Sequence, residues 1–272
     1  MTRAPVAAFV ALVVATIAAF FITQHLKIST PLIKGAPVPV PSAIDPVARR
    51  TCLVNTPVGK RRINFWRMKI SFYLLNRSDD VDVYIVDRNG NIVRTLATGK
   101  FMRGGAHPVR TQFTWDGKLD DKSIAPDGTY YVRVSLIHQG RTIVISDLAG
   151  HPEPIKVITV APHPVVTQVT PSLVARGGIS VAVHYRGTEN DRAFVEIYRA
   201  EVRGSPRLVK RFAVRGDNQE AIWNGEIRRH PAPAGRYLVA LQAIDEACNL
   251  GTYPARLPPV TGATPNAVLT IG

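Results

Sequence analysis

Apolar positions follow distinct patterns along the chain. Residues Ala4–Ile22, APVAAFVALVVATIAAFFI, form a run of 19 positions without a charge, broken only by Pro5 and Thr16. The run has no polar face, so it predicts a helix that is apolar all round. At 1.5 Å per residue that helix is about 28 Å long, close to the hydrocarbon thickness of a bilayer. Pro5 falls in the first turn, where its missing N–H costs little. A cleaved signal peptide would have a shorter apolar core and a small-residue site. Thr16-Ile17-Ala18, followed by Phe20-Phe21, is a poor one. Residues 1–28 therefore read as a cytoplasmic tip and an uncleaved, single-pass signal anchor in the plasma membrane. Long downstream segments translocate largely regardless of charge, which places the chain after about residue 28 outside.

Residues Ser29–Val47 carry Pro31, Pro37, Pro39, Pro41 and Pro46. Prolines at this density disfavour helix and strand ladders and favour polyproline II, so 29–59 reads as a stalk. From about Lys60 the period changes to two. Met68–Leu74 and Val81–Ile85 alternate as half-buried strands. Asn89-Gly90 between Val81–Ile85 and Ile92–Leu96 is a strong hairpin signal. Phe113-Thr114-Trp115, Thr129–Ile137 and Arg141–Ser146 complete a first set of strands.

That set recurs. Ile179–Val183, Ala193–Tyr198, Leu208–Phe212 and Ala221-Ile222-Trp223 echo the strands at Ile70, Val81, Ile92 and Phe113. Trp115-Asp116-Gly117 returns as Trp223-Asn224-Gly225, and Pro126-Asp127-Gly128-Thr129-Tyr130 as Pro233-Ala234-Gly235-Arg236-Tyr237. The tryptophans are 108 residues apart and the tyrosines 107. A repeat of this length with about seven short strands fits an immunoglobulin-like sandwich. The expected fold is all-β: tandem immunoglobulin-like sandwiches over 60–160 and 161–272, the second degenerate, behind one membrane helix. Repetition of Trp115, Trp223, Tyr130 and Tyr237 points to core packing, each burying about 150–250 Å². Asp116 and Asp127 fit local turn hydrogen bonds.

The block from Ile70 to Leu136 resembles the Ig-like domain of the flagellar hook-capping protein family. The residues that carry the likeness are Asn89-Gly90, Val93-Arg94-Thr95-Leu96, Trp115-Asp116-Gly117 and Pro126-Asp127-Gly128-Thr129-Tyr130. The likeness covers about 65–146 well and 175–250 loosely. It implies a module reused in bacterial surface proteins, and a flagellar hook-assembly role as a remote alternative.

Composition narrows the chemistry. Lys and Arg outnumber Asp and Glu by 34 to 20, a net charge of +14. Most of the excess lies before residue 111, where Lys27–Arg110 holds 15 basic and five acidic residues. Its densest patch is Lys60, Arg61, Arg62, Arg67 and Lys69. Outside a membrane this points to anionic lipid headgroups or an acidic envelope polymer rather than nucleic acid, or simply to a solvated face. Asp116, Asp120, Asp121 and Asp127 lack calcium-loop spacing, and Asp87–Asn91 reads as a turn. None of the seven histidines forms a zinc-type pair, and no nucleophile elbow or phosphate loop occurs. No catalytic residue, cofactor or metal is assigned. Cys52 and Cys248 form an even pair; a bridge between domains and two free thiols both stay open, because the ends of a tandem can lie beyond the Cα limit of about 7 Å. The expected function is a non-catalytic, membrane-anchored structural or binding module of the bacterial envelope, with an envelope protein or anionic polymer as partner. The alternative is an accessory subunit or amino-terminal part of a cell-surface enzyme.

Overall fold

Residues 3–29, 32–34, 40–56, 59–147, 150–175, 180–188, 191–200, 204–215, 219–260 and 265–272 are described by a computed structural model of the chain. Pro31, Pro37, Pro39 and Ile179, used above, lie outside the described residues.

Helix α1 spans Arg3–Ser29, 27 residues. The side chains described within it, residues 8–22, are all exposed. They cover 15 positions, about 22 Å. Among the described residues, no helix is long and apolar enough to cross a membrane. The helix expected over Ala4–Ile22 is thus present, while a membrane span is not established by it.

The first sandwich is built from β1 (Ile33–Lys34), β2 (Ala43–Ile44), β5 (Met68–Leu74), β6 (Asp79–Val86), β7 (Ile92–Met102), β8 (Thr111–Trp115), β9 (Gly128–Leu136), β10 (Arg141–Val144) and β11 (Ile155–Val157). A hairpin of β3 (Thr51–Thr56) and β4 (Gly59–Asn64) is inserted between β2 and β5. One sheet has the order β1–β5–β8; the other runs β2–β11–β9–β6–β7, with β10 also on β9. Period-two alternation places Met68, Ile70, Phe72 and Leu74 of β5 against Val132, Val134 and Leu136 of β9 in one core.

The second sandwich uses β12 (Val165–Thr170), β13 (Leu173–Val174), β14 (Val181–Arg186), β15 (Arg192–Arg199), β16 (Arg207–Arg215), β17 (Glu220–Trp223), β18 (Glu226–Ile227), β19 (His230–Pro231), β20 (Gly235–Ile244), β21 (Leu250–Tyr253) and β22 (Val268–Ile271). Its sheets, β12–β14–β17 and β13–β22–β20–β15–β16 with β21 on β20, repeat the first topology strand for strand; β18 and β19 pair as a separate ribbon. In both domains a two-residue strand, β2 or β13, runs parallel to the last one, β11 or β22.

The polyproline stalk is corrected by this topology. Leu32 is buried, Ile33 pairs with Leu74, Val40 bridges Lys69, and Ala43 and Ile44 pair with Lys156 and Val157 at full burial. The prolines leave short apolar pairs between them. β1 and β2 are edge strands, where a missing N–H is tolerated. Residues 32–34 and 40–44 therefore complete the first sandwich rather than holding it away. Residues Lys60–Arg62, expected to open the domain, sit in the β3–β4 hairpin instead.

Candidate functional site

The repeated signature residues are packed in the two cores. Trp115 and Trp223 are fully buried, and their indole N–H groups donate to the carbonyls of Lys118 and Glu226 at 2.9 and 3.0 Å. Tyr130 and Tyr237 lie 5.3 and 5.9 Å from those rings and donate to the carbonyls of Pro126 and Pro233 at 2.7 and 2.6 Å. Gly117 and Gly225 follow each tryptophan turn with φ of 71° and 69°, a region that favours glycine. Gly128 and Gly235 open the long strands β9 and β20.

Asp127 is not confined to its own turn. Its carboxylate accepts the backbone N–H and hydroxyl of Thr159, where the chain leaves for the second domain. Ala234 stands at the matching position and has no such carboxylate. Asp87 keeps the local role, accepting the N–H groups of Asn89 and Asn91, with Gly90 at φ 82°. Asp120 accepts the N–H of Thr95, and Asp121 that of Ser123.

His138, His151 and His184 each approach a carboxylate: Asp79, Asp147 and Glu220. The first pair is a loop clamp. Asp79 accepts the backbone N–H groups of His138 and Gln139 as well as facing the imidazole. Burial opposes its charge, but these hydrogen bonds outweigh it and hold the carboxyl below the usual range. Among the described residues, no three His, Cys, Asp or Glu side chains converge as a metal site would require.

The two domains meet through a stapled junction. Cys52 of the inserted hairpin and Cys248 of the β20–β21 turn form a disulfide with a Cα separation of 6.5 Å, inside the usual limit. The distance objection fails because the hairpin leans onto the second sandwich, where Arg50, Thr51 and Cys52 share a crevice of about 290 Å³ with Gln242, Ile244, Cys248 and Leu250. Lys156 pairs with Glu246 at 2.7 Å, and the Asn249 amide donates to the Ile158 carbonyl at 2.9 Å. Asp245 caps the same turn; burial, with Asp45 adding to it, raises its pKa despite the hydrogen bonds from Asn249 and Ala247.

The basic patch becomes a groove of about 510 Å³ between the hairpin and the outer face of the β1–β5–β8 sheet. Arg61, Arg62, Arg67 and Lys69 line it, and Arg110 joins them; Lys60 lies outside the lining. Thr56, Asn64, Ser71 and Gln112 supply neutral polar groups, and among the described residues no acidic side chain lines the wall. The Arg67 guanidinium stacks 4.4 Å from the Trp66 ring, which Arg49 also approaches at 5.7 Å. The contributions of Arg110 and Gln112 were missed in the sequence because nothing there announces that the hairpin folds back along β5 and β8.

Residues 66–140 match the family model of the FlgD Ig-like domain. This stretch of the first sandwich is thus similar to that flagellar hook-capping Ig-like domain. The basal-body rod modification protein FlgD of Escherichia coli (strain K12) is 40% identical over 75 residues, 28% of this chain and 30% of the relative. Its counterpart from Salmonella typhimurium is 37% identical over 71 residues, 26% of this chain and 28% of the relative. The chain thus spans less than a third of the length of these relatives. Dimeric latent PorU from Porphyromonas gingivalis aligns over 91% of this chain and 21% of its own, at 12% identity and a TM-score of 0.26. A marsupial T cell receptor aligns over 75% and 68%, at 10% and 0.30. The FlgD Ig-like match runs from Trp66 to Gly140, so it includes Arg67, Lys69, Ser71, Arg110 and Gln112 but none of the hairpin. One wall of the groove therefore lies within the stretch that matches the FlgD Ig-like domain, and the other lies outside the matched region.

Proposed function

We propose that the chain is a non-catalytic structural and binding module of the bacterial cell envelope, held at the plasma membrane by α1 with both sandwiches on the outer side. The observation that carries this reading is the exposed apolar surface of α1. Phe9, Leu12, Phe20 and Phe21 are 59–67% exposed on α1, an apolar surface that water does not favour. The whole helix, 27 residues or about 40 Å, exceeds a hydrocarbon core of roughly 30 Å. Ser29 at its end is followed after two residues by Leu32, buried in the first sandwich. The bacterial relatives and the rigid junction fit a scaffold that presents two domains as one unit.

The test is extraction of membranes with alkaline carbonate, together with a reporter fused after Gly272. Retention in the pellet and reporter activity only outside the cell are expected. Release into the supernatant, or activity only inside, overturns the reading.

A second reading, in flagellar hook assembly, is favoured by the identity to the two FlgD proteins over the first sandwich. Deleting the gene discriminates: loss of hooks and motility supports it, and normal motility with an altered envelope supports the first.

A further inference from the structure

We propose that the end of the first sandwich nearest α1 rests on anionic lipid headgroups, with Arg77, Lys100 and Arg103 as the charged contacts and Phe101 and Ile137 as the apolar ones. The proposal rests on the reading of α1 as a membrane span and adds the surface that meets the lipid. The Leu75 N–H donates to the Leu32 carbonyl at 3.0 Å, and Ile33 pairs with Leu74. The chain therefore enters the sandwich at the carboxyl end of β5. Ser29 ends the helix three peptide steps before Leu32, and at 3.8 Å per step their Cα atoms lie within about 11 Å of each other. The helix, 27 residues or about 40 Å, matches a bilayer with its headgroup layers, so Ser29 reaches the headgroup surface. Three loops gather at this end. The Gly105 N–H donates to the Leu75 carbonyl at 3.1 Å, and the Gly104 N–H to Ser78 Oγ at 3.2 Å. Gly104 packs so closely that a Cβ there would strike the Arg77 carbonyl. Asp80 pairs with Phe101 on one side, and on the other its carbonyl accepts the Ile137 N–H at 2.9 Å. The Leu75–Ser78 turn, the end of β7 and the β9–β10 turn thus form one rim.

The rim displays cations and apolar side chains together. Arg77, Lys100 and Arg103 are exposed, and among the described residues none of the three lies within ion-pair distance of a carboxylate. The carboxylates nearby already have donors. Asp79 is buried and accepts from His138 and Gln139, and the His138 imidazole approaches Asp80 at 3.9 Å. Phe101 is 62% exposed and Ile137 48%, one on each side of Asp80. Long basic side chains beside exposed apolar ones suit a lipid interface, where the charge meets phosphate and the apolar body leaves water. Such attraction acts over a Debye length of about 8–10 Å, and the short tether to Ser29 holds the rim at that range. The other end of the first sandwich is joined to the second through Thr159 and the disulfide, so contact at the rim sets the tilt of both domains.

The experiment inserts the full chain into phosphatidylcholine vesicles, with or without phosphatidylglycerol, that also contain a lipid with a nitroxide headgroup. A fluorophore is attached through Asn76→Cys on the rim or through Ala234→Cys at the far end of the second sandwich; the bridged native cysteines do not react. The label at position 76 should be quenched, and at least about twofold more with phosphatidylglycerol present. The label at position 234 should not be quenched in either lipid. Lys100→Glu with Arg103→Glu should abolish the phosphatidylglycerol increment. Arg228→Glu with Arg229→Glu, in the turn between β18 and β19, makes the same change in net charge away from the rim and should leave the increment intact. Phe101→Ser with Ile137→Ser should lower quenching in both lipids; unchanged quenching overturns the apolar contacts. Circular dichroism confirms that the variants fold. Equal quenching at the two labels, equal quenching in the two lipids, or equal effects of the two charge-reversed pairs overturns the headgroup contact. A carbonate-retained chain with an unquenched label at position 76 overturns the rim and leaves the span standing. A carbonate-released chain whose label at position 76 is still quenched by added phosphatidylglycerol vesicles overturns the span and leaves the rim standing.

Discussion

Replacing both cysteines, Cys52→Ser with Cys248→Ser, should uncouple the two sandwiches. The bridge closes a loop across a sequence separation of 196 residues, nearly all of both domains. Loop-closure entropy for that length corresponds to about 5 kcal/mol in a single cooperative unit. The noncovalent junction is weaker. The Lys156–Glu246 pair is partly exposed on both sides and contributes at most about 1 kcal/mol. The Asn249–Ile158 hydrogen bond adds about 1 kcal/mol. The covalent link therefore dominates what makes the domains unfold together. With a guanidinium m-value of roughly 4 kcal/mol/M, its loss should lower the midpoint by about 1 M. Tryptophan fluorescence in guanidinium chloride is the assay, since Trp115 and Trp223 are each buried in one core. Trp223→Phe, on both backgrounds, isolates the first-domain signal. The wild-type traces should coincide and the serine variant should split into two transitions. A shift below about 0.2 M with traces still coincident would refute the reasoning and assign the coupling to noncovalent packing.

Tyr130→Phe and Tyr237→Phe each remove a buried hydroxyl that donates to a proline carbonyl, and each should cost its own domain about 1 kcal/mol in thermal or chemical denaturation. Gly251→Ala drives a Cβ into the Pro162 carbonyl at the junction, whereas at Gly128 the nearest atom is 3.9 Å away. The first should cost about 1–3 kcal/mol and Gly128→Ala less than about 0.5, measured as midpoint shifts. Asp79 and Asp245 should give opposite pH slopes. The folded pKa of Asp79 is lowered, so its contribution is present above the ordinary carboxylate range and is lost as pH falls through the depressed value. The folded pKa of Asp245 is raised, so its contribution is present below the ordinary range and is lost as pH rises through the raised value. Denaturation at pH 3–7 should show Asp79→Asn flattening the acid decline and Asp245→Asn removing the opposing trend.

Period-two alternation and the two Trp-turn-Tyr signatures made both sandwiches legible, because each strand has one wet and one dry face and the turn chemistry recurs at a fixed spacing. The strands Ile33–Lys34 and Ala43–Ile44 were not legible. Two-residue strands carry no periodicity, and the prolines around them signal an open chain; only the partners Leu74, Lys156 and Val157, distant in sequence, make those residues strands. The hairpin Thr51–Asn64 hid for a related reason. Its faces are mostly exposed, so composition dominates pattern. The basic cluster was visible as Lys60–Arg62, Arg67 and Lys69, but its shape was not. A cluster becomes a groove only through a second wall, and Arg110 reaches it by strand pairing rather than by proximity in the chain.

The insertion of β1 and β2 into the two sheets has a mechanical side. A slack stalk would absorb a pull on α1 by straightening. Here tension on the helix arrives within a few residues at the β1–β5 pair, then at β2 beside β11. β2 and β11 run parallel, and β11 leads directly into the second domain. A load passing from the helix toward the carboxyl end therefore crosses hydrogen-bonded strands first. The Cys52–Cys248 link offers a covalent bypass around everything between the hairpin and the far turn. The two-residue β1–β5 pairing is therefore the first contact that such a load meets, ahead of either core.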